Sequence, residues 1–211
     1  TLDLAALPVP DDARAYIFFT SGTTGVPKGV PISRANLAGF IKAFLELGIT
    51  MDPTDKCLQM FELTFDLSVM SYLAPLLKGA CVYTIPKNKI KFNYIADLVE
   101  DHQLTVALMV PSIIHYLRPY FDEINSQSMK FSLFCGEALP LDVTGEWAAC
   151  IPNARIMNVY GPTEDTIFCT HYTFSRDSYN KASNGLMSIG KAMNGTFTII
   201  INDNKELVNA G

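Results

Sequence analysis

The amino-acid sequence predicts an α/β fold: a mostly parallel sheet flanked by helices, followed by a β-rich C-terminal segment. Short apolar runs rich in β-favouring residues alternate with amphipathic helical stretches over most of the chain. The segments 167–174 and 196–201 then resemble strands without a long helix between them. Polar clusters follow Phe19, Cys135 and Tyr160, at the expected carboxyl ends of strands, where open α/β sheets bind ligands. A single cleft would explain that coincidence.

The first elements surround a loop rich in glycine and hydroxyl residues. The uninterrupted apolar run Tyr16–Phe19 indicates a buried strand. Because Lys28 stands between proline and glycine, we expect the loop to continue past it. A helix follows, with Ser33 as its N-cap and Gly48 at its end, since apolar residues recur between them at helical spacing.

The later elements alternate regularly. Further strands are predicted at 57–61, 80–85, 105–110, 131–135 and 155–160. Helices are predicted from about 67 toward 77, and at 92–101, 111–120 and 141–150. Asp203-Asn204 indicates a hairpin turn. We therefore expect a lead-in at 1–14, an α/β subdomain at 15–166 and a β-rich segment at 167–211.

Composition narrows the class of protein. The chain has 211 residues, a net charge of −5 and an apolar fraction of 49%, which argues against nucleic acid or an anionic membrane as its main partner. It contains no apolar run long enough for a membrane span and no signal peptide pattern, so we expect a cytoplasmic protein. Five scattered cysteines are expected to be reduced core residues: Cys57, Cys81, Cys135, Cys150 and Cys169.

Three stretches carry candidate chemistry. Thr20 to Gly29 offers backbone N–H groups, four hydroxyls and a lysine to a polyphosphate, although a bland glycine-rich turn would have a similar composition. It differs from the kinase-type phosphate loop, which ends in Gly-Lys-Ser/Thr and opens a helix. Asp66, in Phe65-Asp66-Leu67-Ser68, is either a helix cap or a carboxylate that lines a pocket. Asn158 to Glu164 is the third stretch, and a capped Gly-Pro turn is its plainer interpretation.

As sequence motifs, these three stretches resemble the signatures of adenylate-forming enzymes. They occur in the order found in that family, across nearly the whole chain. The match is most similar to amino-acid adenylation domains, namely D-alanine–carrier protein ligases and peptide-synthetase domains. The resemblance implies a fragment of their large N-terminal domain, in which the subdomain at 15–166 binds nucleotide and substrate. It also implies that 167–211 is the start of a further subdomain, truncated at 211. It further implies activation of an amino acid with ATP and Mg²⁺, then transfer to the phosphopantetheine thiol of a carrier protein.

The resemblance also implies roles for single residues. The expected phosphate-binding residues are Thr20, Ser21, Gly22, Thr23, Thr24, Gly25 and Lys28. The expected adenine-binding residues are Gly136, Glu137, Ala138, Asn158, Tyr160 and Gly161. The expected substrate-binding residues are Phe65, Asp66 and Met70, with Asp66 holding an α-ammonium group. The expected catalytic residues are Lys28, Thr163 and Glu164, with Glu164 as the Mg²⁺ ligand.

Two rival functions stay open at this point. One is a nucleotide-binding module without chemistry, and the other is an acyl- or aryl-CoA ligase of the same superfamily, which would gain nothing from Asp66. Family members also carry a ribose-binding acidic residue, a hinge and a C-terminal lid with a catalytic lysine. None of these is found in the 211 residues, so we expect this chain alone to be nearly inactive.

Overall fold

A computed structural model describes residues 9–21 and 25–208 of the chain. The helices are α1 Arg34–Glu46, α2 Leu67–Leu77, α3 Lys91–Glu100, α4 Pro111–Leu117 and α5 Leu141–Cys150. The strands are β1 Arg14–Thr20, β2 Lys28–Ser33, β3 Lys56–Gln59, β4 Cys81–Thr84, β5 Val106–Met109, β6 Phe131–Phe134, β7 Arg155–Tyr160, β8 Thr170–Thr173, β9 Ala182–Ser183, β10 Leu186–Met187 and β11 Lys191–Ala192. Short 3₁₀ helices lie at Arg118–Glu123 and Thr163–Asp165.

Within the described residues, seven strands form one sheet in the order β11-β8-β7-β6-β5-β3-β4. The strands from β4 to β7 pair parallel, whereas β8 pairs antiparallel with β7 and β11 antiparallel with β8. The predicted mostly parallel sheet is confirmed. The boundary predicted between residues 166 and 167 falls inside this sheet, because β8 and β11 continue it.

Helices cover both faces of the sheet, which is why its central strands are buried throughout. Val106 and Leu108 of β5 join the core under α1 and α2, whereas Ala107 and Met109 join the core under α3, α4 and α5. This alternation follows from the two-residue period of a strand. The two cores hold the parallel strands in place, and the loops at their carboxyl ends are built on that support.

Strands β1 and β2 form a separate antiparallel ribbon, with Thr20 paired to Lys28. Two expectations were wrong here. Ile17 is 51% exposed and Phe19 71%, because only the other face of the ribbon, with Tyr16 and Phe18, packs against the core. The loop also ends at Pro27 and does not continue past Lys28, since Lys28 begins β2.

The C-terminal part differs most from the sequence-based expectation. The strand predicted at 167–174 is shorter, because Thr166 and Ile167 have positive φ angles that end extended pairing. The strand predicted at 196–201 was wrong: its one paired residue among those described is Ile201, bridged to Leu207. That bridge confirms the hairpin turn predicted at residues 203–204.

Most helix ends agree with their sequence signals. Ser33 and Asn36 form a capping box at the start of α1, and Gly48 and Gly79 follow α1 and α2 with φ angles of +72°.

In the part of the chain described, no helix has the length and apolar character that a membrane crossing requires. All five cysteines are free, and four are buried as expected, whereas Cys81 on the edge strand β4 is exposed.

Candidate functional site

Asp66 lies in the connection from β3 to α2, at the carboxyl edge of the parallel strands. Its backbone is already helical, with φ −66° and ψ −25°, and its side chain makes no capping hydrogen bond. The residue is only 8% exposed. Its Oδ2 atom is buried without a hydrogen-bond partner among the residues described. The structure therefore removes the helix-cap interpretation that the sequence left open.

Two motifs that are far apart in the sequence meet at this carboxylate. Burial raises the pKa of Asp66 above its ordinary value, and the charge of Glu164 adds to the rise. The nearby hydroxyl of Thr163 and backbone N–H of Leu67 partly offset this rise in the pKa, because donors close to a carboxylate favour its charged form. Thr163 and Glu164 thus lie close enough to Asp66 to influence its pKa.

Tyr16 and Cys135 lie near enough to Asp66 for its charge to affect their pKa values. The hydroxyl of Tyr16 is buried and has no hydrogen-bond partner among the residues described. Burial raises the pKa of Tyr16, and the charge of Asp66 raises it further. Burial also raises the pKa of Cys135 to about 12, with Asp66 as a smaller cause. Because unpaired buried polar groups are costly, a ligand that brings hydrogen-bond donors and a positive charge would be stabilised next to Asp66.

The ends of β1 and β2 that flank the expected phosphate-binding loop lie near the same region. Thr20 ends β1 and Lys28 begins β2, and β2 lies against the short helix Thr163–Asp165. Ser21, Gly25 and Lys28 are exposed, and Gly25 has a φ of +80°, which glycine adopts freely. Gly22, Thr23 and Thr24 lie outside the described residues, so their assignment stays a prediction.

The end of β7 offers an aromatic surface next to Thr163. Tyr160 is 49% exposed. A Cβ added to Gly161 would lie 2.3 Å from the Cα atom of Phe168, so close backbone packing requires glycine there. The Asn158 side chain is buried, and its Nδ2 donates a hydrogen bond of 3.0 Å to the carbonyl of Ser188. That amide group therefore holds the chain before β11.

In the loop after β6, as at Asn158, a predicted adenine-binding side chain is hydrogen-bonded to a neighbouring segment. Gly136 has a φ of +91°, and Gly136, Glu137 and Ala138 are exposed. The carboxylate of Glu137 accepts hydrogen bonds from the backbone N–H and the hydroxyl of Ser112 at the start of α4. The side chain of Glu137 is therefore bound to the N-terminus of α4, where its negative charge is favourable.

The two remaining substrate-binding candidates occupy opposite environments. Phe65 is 62% exposed beside Asp66, whereas Met70 is 2% exposed and belongs to the core under α1 and α2. Phe65 thus exposes its ring to solvent next to Asp66. Met70 packs one helical turn beyond Asp66, inside the protein, and its contact with a substrate stays a prediction.

A protein-family model described as AMP-binding enzyme matches residues 3–211. The chain belongs to this family. The D-alanine--D-alanyl carrier protein ligase of Lactiplantibacillus plantarum is 32% identical over 96% of this chain and 40% of its own length. Nonribosomal peptide synthetase 32 of Fusarium pseudograminearum is 34% identical over 84% of this chain and 2% of its own length.

Solved structures of adenylation domains share the fold of this AMP-binding enzyme. The Vibrio cholerae adenylation domain AlmE, in complex with glycyl-adenosine-5'-phosphate, superimposes with a TM-score of 0.84 at 34% identity. The match covers 94% of this chain and 37% of AlmE. The chain thus spans about two-fifths of the length of AlmE and of the D-alanine ligase, and a much smaller part of the peptide synthetase.

The expected Mg²⁺ ligand of this AMP-binding enzyme is exposed. Glu164 takes part in none of the ion pairs found in residues 9–21 and 25–208. The same residues hold no cluster of three or more histidine, cysteine or acidic side chains that could bind a metal ion. A hard, exposed carboxylate suits a cation whose other ligands are oxygens from a nucleotide and water, so the site fits nucleotide-bound Mg²⁺ and not a protein cage.

Sequence reasoning missed two residues of the site. It assigned no role in the site to Tyr16, which it treated as part of an apolar strand, or to Cys135, which it expected to be a core residue. A tyrosine at the start of an apolar strand is a weak signal, because the pattern does not show that its hydroxyl is buried near Asp66.

Proposed function

We propose that this AMP-binding enzyme activates the carboxylate of an amino acid as aminoacyl-AMP, with release of pyrophosphate. The aminoacyl group then passes to the phosphopantetheine thiol of a carrier protein. The observation that carries the proposal is the buried carboxylate of Asp66, whose Oδ2 has no partner among the described residues and which lies beside Thr163. A substrate ammonium group would supply the missing charge and donors. The complex of AlmE with glycyl-adenosine-5'-phosphate gives independent support.

In this proposal each residue binds or orients a reacting group. Asp66 holds the α-ammonium group, so that a carboxylate oxygen of the substrate can attack the α-phosphorus of ATP while the bond to pyrophosphate breaks. Thr163 donates its hydroxyl to the α-phosphate, and Lys28 with Thr20 to Gly25 binds the departing phosphates. Mg²⁺, when bound at Glu164, supplies positive charge that offsets the phosphate oxygens.

The adenine would stack on Tyr160 and lie along Gly136 and Ala138. Asn158 and Glu137 would contribute differently from what the sequence suggests, because Ser188 and Ser112 already bind their side chains. They would fix the loops that border the base. Gly161 would keep β7 close to Phe168, so that the ring of Tyr160 stays in place.

We also infer that residues 1–211 expressed alone adenylate slowly or not at all, since D-alanine ligases that match the chain are more than twice as long. The 15–166 segment would supply nucleotide and substrate contacts, and the rest of the enzyme would close the site. The five free cysteines support a cytoplasmic location.

The test is amino-acid-dependent ATP–pyrophosphate exchange by the natural polypeptide in which these residues occur. We expect exchange with one amino acid of a panel that includes D-alanine and glycine, and a loss of about a hundredfold or more in Asp66→Ala, because a buried charge pair loses its partner. Asp101→Ala, at the exposed end of α3, is the matched control and should retain activity.

Two results would contradict the proposal. Exchange with fatty or aromatic acids that persists in Asp66→Ala would indicate an acyl- or aryl-CoA ligase. Binding of Mg·ATP without exchange for any acid would indicate a nucleotide-binding module.

A further inference from the structure

The connection from β7 to β8 contains two consecutive residues in an unfavourable backbone conformation. Thr166 has φ +61° and Ile167 has φ +75°. Both are β-branched, and such residues seldom adopt positive φ angles. Thr166 and Ile167 are also buried, at 8% and 1% exposure.

Hydrogen bonds show that this is a tight turn. The backbone N–H of Phe168 donates to the carbonyl of Thr166 at 3.0 Å, and the N–H of Thr166 donates to Thr163 at 3.2 Å. The first bond spans three residues with Ile167 at the centre, which is the γ-turn with positive φ, a rare and strained form. The second joins the turn directly to the short helix that carries Thr163 and Glu164.

Core packing holds the strained turn closed. The ring of Phe168 meets the rings of Phe40 and Phe44 edge-on, with centroid distances of 5.0 and 6.1 Å. The N–H of Cys169 donates to the carbonyl of Tyr160 at 2.8 Å. The backbone of Phe168 lies so near Gly161 that a Cβ there would be 2.3 Å away. Both ends of the connection are therefore fixed, and its middle has no room to relax.

We propose that the γ-turn at Thr166 and Ile167 is a positioning device that fixes Thr163 and Glu164 relative to Asp66. Strained backbone persists only where the surrounding structure enforces it, and it concentrates at functional sites. Without the turn, β8 could begin directly after a relaxed loop, and Thr163 and Glu164 would sample several positions. This inference rests on the proposed function, because it concerns the same site.

The main test compares Thr166→Gly with Thr166→Ala in the natural polypeptide. Both lose the hydroxyl and methyl groups, but only glycine relieves the positive φ angle. We expect Thr166→Gly to melt at a temperature at least as high as Thr166→Ala. Its kcat for pyrophosphate exchange should nevertheless be about tenfold lower, since small misplacements of catalytic groups are costly. Its KM for the amino acid should change little, because Asp66 lies on another element.

A second comparison separates positioning from general core damage. Ile167→Ala and Ile95→Ala each remove a fully buried isoleucine side chain, but Ile95 lies in the core under α3, on the opposite face of the sheet. Both should lower the melting temperature, and only Ile167→Ala should lower kcat by a comparable factor of about ten. Equal kcat in both isoleucine variants, or in both Thr166 variants, would overturn the inference.

Failure of the proposed function would look different. If no acid supports exchange in the unmutated enzyme, the same variants are compared for Mg·ATP affinity by titration calorimetry. Weaker nucleotide binding in Thr166→Gly than in Thr166→Ala would then support the positioning role by itself, and equal binding would refute it.

Discussion

The carboxylate of Glu137, in the loop after β6, accepts hydrogen bonds from both the backbone N–H and the hydroxyl of Ser112, at 2.9 and 3.0 Å. The pair fastens this loop to the first turn of α4. A negative charge at a helix N-terminus also interacts favourably with the free N–H groups there. The loop is thereby held in place by a neighbouring helix.

Glu137→Ala should lower the free energy of unfolding by about 1 kcal/mol, in the range measured for lost helix caps. Glu137→Gln keeps one of the two accepting oxygens and loses the other together with the charge, so it should lower the free energy of unfolding less than alanine does. Thermal unfolding of both variants and of Ser112→Ala, combined in a double-mutant cycle, measures the coupling. Additive effects would show that the two residues do not stabilise each other.

Gly161→Ala should destabilise the protein by about 1–3 kcal/mol, the usual cost of forcing extra atoms into a packed interior. The added Cβ would meet backbone atoms of Phe168 and Cys169 at 2.3 and 2.8 Å, and a backbone cannot swing aside as a side chain can. Denaturant unfolding measures the change.

Gly145→Ala is the matched control for that substitution. Gly145 lies within α5, and an added Cβ there would meet nothing within 4 Å. Alanine should stabilise the protein by about 0.5–1 kcal/mol because it favours the helix. Equal effects at positions 145 and 161 would contradict the close packing at Gly161.

Asp66→Asn should raise the melting temperature near pH 7 in the absence of ligands. Burial raises the pKa of Asp66 in the folded state above its ordinary value of 3.8. The folded state therefore binds this proton more tightly than the unfolded state. The resulting stability is present below pH 3.8 and is lost as the pH rises through the folded-state pKa.

The difference between wild type and Asp66→Asn should therefore shrink as the pH falls toward 4. Differential scanning fluorimetry across pH 4 to 8 follows it directly. A difference that stays constant over this range would mean that the carboxyl group ionises in the folded protein as it does in the unfolded chain.

One cysteine should react quickly with a thiol reagent in the native protein. Cys81 is exposed, whereas burial raises the pKa of Cys57 and Cys169 to about 12 and that of Cys150 to about 11. Only the thiolate reacts, so Ellman's reagent at pH 8 should show a single fast thiol that disappears in Cys81→Ser. Two or more fast thiols would contradict the burial of the others.

Much of the fold was predictable because apolar periodicity and helix-end residues agree with it. The bounds predicted for α5 and β7 match the structure, and the Ser33 cap lies where its sequence signal predicts. Strand β2 was missed because Gly29 and Pro31 suppress any strand signal. A strand was wrongly expected at 196–201, since β-branched residues favour strands only when a partner is present.

The candidate site was predictable to a different extent. The sequence motifs predicted Asp66, Thr163 and Glu164 as site residues, because these motifs are specific. Their proximity depends on the order of strands in the sheet, and the unpaired state of Asp66 depends on its burial. Neither the strand order nor the burial can be read from a sequence motif. The turn at Ile167 could not be predicted, because isoleucine favours extended backbone, and only packing of the finished core imposes the opposite conformation.

The residues around the Asp66 carboxylate come from the β1–β2 ribbon, from the start of α2 and from the segment that follows β7. These residues come together only after distant segments have paired, and a high contact order slows folding. A ligand that binds only the folded form at this site would shift newly made chains toward the native state by mass action. Under the proposed function, the amount of folded protein in a cell would rise with the supply of nucleotide and amino acid.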